Sequence, residues 1–171
     1  MNIFRLDNNP VKAAEFLCDR HVHKMVLETA QILCFAHHNM GTYKADIPYK
    51  ENKPHLKHPT VLWCQDSEDN YEWALTHGLA ISTEYIFRYG KQHASHSVLE
   101  WAGFFRLKSY TNKGLAIPQC FGKYGNECID LNDSVAGYRN YYNLVKRYEM
   151  KTGCKWEKGR KSPDWYENFI K

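Results

Sequence analysis

The run from Cys18 to His38 does most to decide what this chain can fold into. Val22, Val26, Thr29, Leu33 and Ala36 recur at intervals of three and four, and Met25 and Ile32 widen the stripe. A helix gathers those residues on one face, so the stripe predicts a long amphipathic helix and a core to receive it. Upstream, Asp7-Asn8-Asn9-Pro10 offers cap residues followed by a proline suited to a first helical turn, which predicts a helix from about Pro10. Met1 to Leu6, before it, alternates apolar and polar residues and reads as a short extended segment. Downstream, Pro59 opens a second helical region. There Ser67, with Glu68 and Asp69, caps a helix whose Tyr71, Leu75, Leu79, Ser82, Ile86 and Tyr89 share a stripe ending near Gly90. A shorter helix is predicted over 97–106, and Asp133-Ser134 caps a last one that runs to about Thr152. The expected fold is all-α, a single domain over 1–171 of about three to five helices with long irregular loops.

Composition narrows the class. A chain of 171 residues, 43% hydrophobic and 25% charged, has the length of one domain and the make-up of a globular one. No apolar run approaches the ~20 residues of a membrane helix, and the N-terminus lacks a signal-peptide pattern, so a cytoplasmic protein of the expressing or host cell is expected, without a membrane partner. The six cysteines form no CxxC pair and read as reduced thiols. His21 and His23 would point apart on a helix, and neither a metal nor another cofactor is expected. Twelve Tyr, eight Phe and five Trp, with a formal net charge of +4, suit stacking and polar-tipped surfaces. The cations collect in a long loop insertion over 39–57, in the last helix, and in a basic aromatic tail over 155–171 that holds Trp156, Arg160, Trp165, Tyr166 and Phe169. Trp63, Tyr71, Trp73 and Tyr85 fall at helical spacing and are expected in the core or at its edge.

The first long helix also carries a polar row. His21, Lys24, Glu28, Gln31 and Phe35 are spaced three, four, three and four apart and project together. A solvated face with one Lys24–Glu28 ion pair would explain the row. Its mixture of imidazole, cation and carboxylate, flanked by Val22, Met25 and Ile32, also fits a partly buried carboxyl placed for proton transfer.

Leu17-Cys18-Asp19-Arg20-His21-Val22, with Glu28 seven residues after His21, resembles the first helix of the pyrimidine dimer DNA glycosylase/AP lyase family, of the phage endonuclease V type. His58-Pro59-Thr60-Val61 leading to Arg88-Tyr89-Gly90, and Ser162-Pro163-Asp164-Trp165-Tyr166-Glu167-Asn168-Phe169, are similar to that family's second helix and aromatic C-terminal segment. The chain also resembles a group of small uncharacterised phage and bacterial proteins. The family resemblance implies an all-helical enzyme acting on DNA, in which an N-terminal α-amine attacks the sugar C1′ of a damaged nucleotide and Glu28 serves as acid and base. An α-amine, with a pKa near ~8 against ~10.4 for lysine, has a usable neutral fraction at pH 7. On this reading Met1, Glu28, His21 and Lys24 are the catalytic candidates, and Asn2, Arg5, Arg20, Gln31, His58, Arg88, Tyr138, Arg139, Tyr142 and Trp165 the contacts to substrate or phosphate.

The chain departs from the family pattern in three places. Asn2 disfavours removal of Met1, which sets the amine one residue further out; Leu27 and Gln31 stand where the family has arginines; and the 39–57 insertion is additional to the family core. The partner is therefore DNA or a nucleotide-sized ligand. A glycosylase or glycosylase/lyase, a nucleotide- or nucleoside-processing enzyme on the same fold, and a non-catalytic nucleotide- or protein-binding inhibitor all remain open. Such an inhibitor would use the Tyr-rich last helix and the tail as its interface.

Overall fold

In a computed structural model that describes residues 1–123, 125–150 and 153–167, the chain is all-helical. Helix α1 (Pro10–Phe16) starts where the Asn9 side chain accepts from the N–H groups of Val11 and Lys12, with Pro10 in its first turn. Helix α2 (Asp19–Met40) follows after a two-residue break and ends on Gly41, whose φ of 66° is the left-handed conformation a glycine supplies at a helix end. Its stripe is buried as expected: Val22, Val26, Thr29, Leu33 and Ala36 are fully enclosed. Two single-turn helices, α3 (Lys53–Leu56) and α4 (Pro59–Cys64), lead into α5 (Glu68–Tyr89), which the Ser67 hydroxyl caps at the Asn70 N–H and Gly90 ends. Helix α6 (His96–Phe104) comes next. A 3-10 turn at Asn126–Cys128 then precedes α7 (Ser134–Tyr141), capped by Asp133. Without a break, α7 widens into a π segment, Tyr142–Lys146, and closes in α8 (Arg147–Glu149); α9 (Asp164–Glu167) is a last single turn. Only α1, α2, α5, α6 and the α7-to-α8 run reach seven residues among the described part of the chain, matching the expected number of principal helices.

Helices α2 and α5 form the spine, with α1 against α5 and α6 across both. A Cβ placed on Gly78 of α5 would stand 2.8 Å from Leu99 Cδ2 and 2.9 Å from Thr29 Cγ2, so the three helices close on each other where a side chain is missing. Trp63, Tyr71 and Tyr85 are buried and Trp73 is partly so, in line with a core role. No helix among the described residues is long and apolar enough to cross a membrane.

The last helix and the tail do not form the outward aromatic face that their composition suggested. Tyr138, Tyr141 and Tyr142 are buried in the main core, and Trp156 donates its indole N–H to the Phe16 carbonyl at 3.1 Å. The N–H of Asp19 donates to the Lys155 carbonyl at 2.8 Å, which stitches the tail to the start of α2. Phe169 of the expected tail lies outside the described residues.

Candidate active site

The first six residues run through the protein rather than along its surface. Ile3, Phe4 and Leu6 are buried, and His77 of α5 stands between the carbonyls of Ile3 and Pro10, at 3.0 and 2.9 Å. Phe4 adopts a left-handed φ of 43°, uncommon for a side chain of its size. The bend is held from Asn2: its Oδ1 accepts the Ile3 N–H at 2.7 Å and lies 2.8 Å from the Tyr138 hydroxyl, and its Nδ2 donates to the Cys120 carbonyl at 2.8 Å. With the side chain fixed on three sides, the Asn2 backbone N–H donates to Glu28 Oε2 at 2.9 Å. The Met1 nitrogen stands 4.0 Å from the same oxygen, and Lys24 Nζ lies 3.0 Å from Oε1. One carboxylate, 13% exposed, thus faces the start of the chain on one side and a solvent-exposed ammonium on the other.

These groups line a pocket of about 160 Å³. Met1, Asn2 and Phe4 form one part of its wall, His21, Lys24, Met25 and Glu28 of α2 another, and Tyr141 and Lys146 close the far side. His21 stacks on Phe4, with ring centroids 4.5 Å apart, and its Nδ1 lies 2.5 Å from the Tyr142 hydroxyl. Full burial keeps the Tyr142 phenol protonated by raising its pKa well above the ordinary value. With the Tyr142 phenol as the donor to Nδ1, a neutral His21 would carry its proton on Nε2. Lys146 Nζ is 2.7 Å from Glu149 Oε2 and 4.9 Å from the Tyr141 ring centre. Burial works against its ammonium, but bonds to Glu149 and the Tyr141 hydroxyl outweigh that and raise its pKa. His58 lies just beyond the pocket, with Nδ1 accepting the Thr60 N–H at 3.2 Å as the cap of α4. Burial, the chain-start amine and His55 all lower its pKa, with Glu28 opposing them, which places it within electrostatic reach of both the amine and Glu28.

The structure therefore brings together Met1, Asn2, His21, Lys24 and Glu28, with Gln31 half-buried one turn further along the same row. Arg20 is exposed one turn before Lys24. Arg5 is turned elsewhere, bonded to Asn8 Oδ1 at 3.1 Å with its guanidinium 5.5 Å from the Trp73 ring.

Five residues expected as substrate contacts are engaged in contacts within the protein. Arg88 is fully buried and donates to Glu84, Asp19 and the carbonyls of Leu17 and Glu15. Arg139 donates to the Leu6 carbonyl at 2.9 Å and pairs with Asp7 at 3.3 Å. Tyr138 and Tyr142 have no exposed surface; they hold Asn2 and His21 and pack edge-on against Phe4 of the pocket wall. Trp165 packs edge-on against Phe16 and Tyr142.

Phe4 is not singled out by the sequence, and Tyr141 and Lys146 stand out there only as members of a Tyr- and cation-rich last helix. The crowding of Tyr and cations over 138–147 was the only available hint, and the π segment that sets the direction of Lys146 has no periodic signature.

A family model described as pyrimidine dimer DNA glycosylase matches residues 1–97, more than half of the chain. The chain belongs to the pyrimidine dimer DNA glycosylase family. Searches of curated proteins and of solved structures returned no match. Membership in the glycosylase family brings a DNA-glycosylase type of function and DNA as the partner. The matched span holds Met1, Asn2, Phe4, His21, Lys24 and Glu28, while Tyr141, Lys146 and the Cys120 carbonyl that fixes Asn2 all lie beyond it.

Proposed function

We propose that this glycosylase works through an imine, with the nitrogen at the start of the chain as nucleophile and Glu28 as the acid and base. The observation that carries the proposal is the convergence of the Met1 nitrogen (4.0 Å) and the Asn2 N–H (2.9 Å) on one oxygen of a partly buried carboxylate. In the reaction the amine adds to C1′, the N-glycosidic bond breaks, and the base leaves with its electron pair and takes up a proton. Opening of the sugar ring then forms the C1′ imine, with Glu28 passing to the ring oxygen a proton taken from the attacking nitrogen. The resulting carboxylate removes a proton from C2′, and β-elimination breaks the bond from C3′ to its oxygen and releases the downstream strand with the phosphate on its 5′ end. Lys24 and Lys146 flank the path as cations for the flanking phosphates, and His21, with a proton on Nε2, can donate to a departing or sugar oxygen.

The size of the pocket bears on the alternatives. Small-molecule sites usually enclose roughly 300–1,000 Å³. A volume of about 160 Å³ is enough for the sugar of an extruded nucleotide and too little to enclose a free one, which favours attack on a polymer over nucleotide capture.

The test is reduction with borohydride in the presence of an oligonucleotide holding an abasic site. A covalent adduct joining protein and DNA is expected, with the modification mapped to residue 1. Lack of an adduct, while a known imine-forming lyase is trapped in parallel, rejects the mechanism.

A further inference from the structure

The 39–57 segment was expected to be a long polar loop, and it is held far more firmly than a connector requires. Three consecutive residues at the end of α2 fasten it. His37 Nδ1 lies 2.8 Å from Thr42 Oγ1, His38 Nε2 lies 2.8 Å from the Tyr49 carbonyl, and Asn39 Nδ2 donates to the Leu56 carbonyl at 2.8 Å. A fourth tie runs to the start of α6, from the Tyr49 hydroxyl to Ser95 Oγ at 2.9 Å.

Fastened in this way, the returning half lies along α2 on the side of the polar row. The His55 ring is 5.8 Å from that of Phe35, the last member of the row. Phe35 stands seven residues beyond Glu28, about 10 Å along a helix that rises 1.5 Å per residue. At the other end of the run, His58 Nδ1 accepts the Thr60 N–H, the Thr60 hydroxyl lies 3.6 Å from Cys120 Sγ, and the Cys120 carbonyl holds Asn2 at the pocket wall, close enough for His58 to feel the charges of Glu28 and the chain-start amine. Residues 50–58 therefore lead away from the mouth of the pocket along one side of α2. Along that path Lys50, Lys53 and Lys57 are exposed and form no ion pair among the described residues, and Glu51 is the one acid. A rigid run of unpaired cations that begins at the reacting centre matches the charge and direction of a DNA strand leaving it.

We infer that residues 50–58 form a backbone rail for the DNA strand, with Lys53 and Lys57 each neutralising a phosphate on one side of the reacting nucleotide. At a rise of 3.4 Å per nucleotide, 10 Å along α2 corresponds to about three nucleotides. The inference rests on the glycosylase reading above, in which the nucleotide at Glu28 belongs to a polymer.

The experiment measures affinity by fluorescence anisotropy for a duplex with one abasic site, between 50 and 200 mM salt. It compares the intact protein with the double variant Lys53→Ala/Lys57→Ala and with a charge-matched control, Lys12→Ala/Lys91→Ala, at two other exposed lysines. Each lost phosphate contact lowers the slope of log affinity against log salt by about 0.9, so the rail variant should lose about 1.8 from its slope. Over this fourfold salt range, its affinity then changes about 12-fold less than that of the intact protein. The control should keep the intact slope. A rail variant with the intact slope, or a control that loses as much, overturns the inference. Borohydride trapping of the intact protein is the separate readout of the imine mechanism. Failure to trap with the slope difference present rejects the mechanism and leaves the rail standing, whereas trapping with no slope difference does the reverse.

Discussion

Glu28→Gln should lower the rate of strand cleavage by about 10²–10⁴-fold while leaving affinity for an abasic duplex nearly unchanged, since that range is what a positioned general acid and base contributes. The substitution is nearly isosteric. A glutamine Oε1 can still accept the Asn2 N–H that Glu28 Oε2 accepts at 2.9 Å, so the bend at the start of the chain is kept. The lost functions are the negative charge beside the Met1 nitrogen and the capacity to exchange a proton with the sugar. Single-turnover cleavage measured beside anisotropy separates the two contributions, because a binding defect moves the second and a chemical defect moves only the first. Cleavage at the intact rate would remove Glu28 from the mechanism. Equal losses in affinity and rate would make it a binding group.

Arg88→Met should be the most damaging single change to the framework. The guanidinium is fully buried and serves two carboxylates and two carbonyls, at 3.1 Å to Asp19, 3.0 Å to Glu84, 2.7 Å to the Leu17 carbonyl and 2.8 Å to the Glu15 carbonyl. Removing one partner from a buried ion pair costs about 3–5 kcal/mol because the other charge is left without compensation. Two features here hold the cost toward the lower end: Glu84 keeps its second cation, Arg160, and Asp19 keeps the Glu157 N–H at 2.8 Å. For a domain of this size each kcal/mol lowers Tm by about 2–4 °C, so a fall of roughly 6–12 °C is expected in a thermal melt. A melt within 2 °C of the intact protein would show that water or rearrangement replaces the network.

The same residue shows where a sequence stops being legible. Glu84 and Arg88 are four apart on a predicted helix and could be read as a pair, whereas Asp19, Leu17 and Glu15 lie some 70 positions away, and only the packing of α1 and α2 on α5 brings them in. Local signals carried much further. The α2 stripe, the Ser67 and Asp133 caps and the glycine stop at 90 each have a cause within a few residues, and each stands where it was expected. The carboxylate row was visible for the same reason. The opposite wall of the pocket was not, because it depends on residue 2 meeting residues 120 and 138 and on a π turn aiming Lys146. Tyr and Arg over 138–147 look alike in sequence whether they face solvent or core. Burial alone separates Tyr148, which is exposed, from Tyr142, which is enclosed.

The Met1 side chain is 3% exposed, and its nitrogen opens onto the pocket. Anything joined to that nitrogen, whether an acetyl group or an affinity tag, would take up space beside Glu28 that the proposed reaction needs for its sugar.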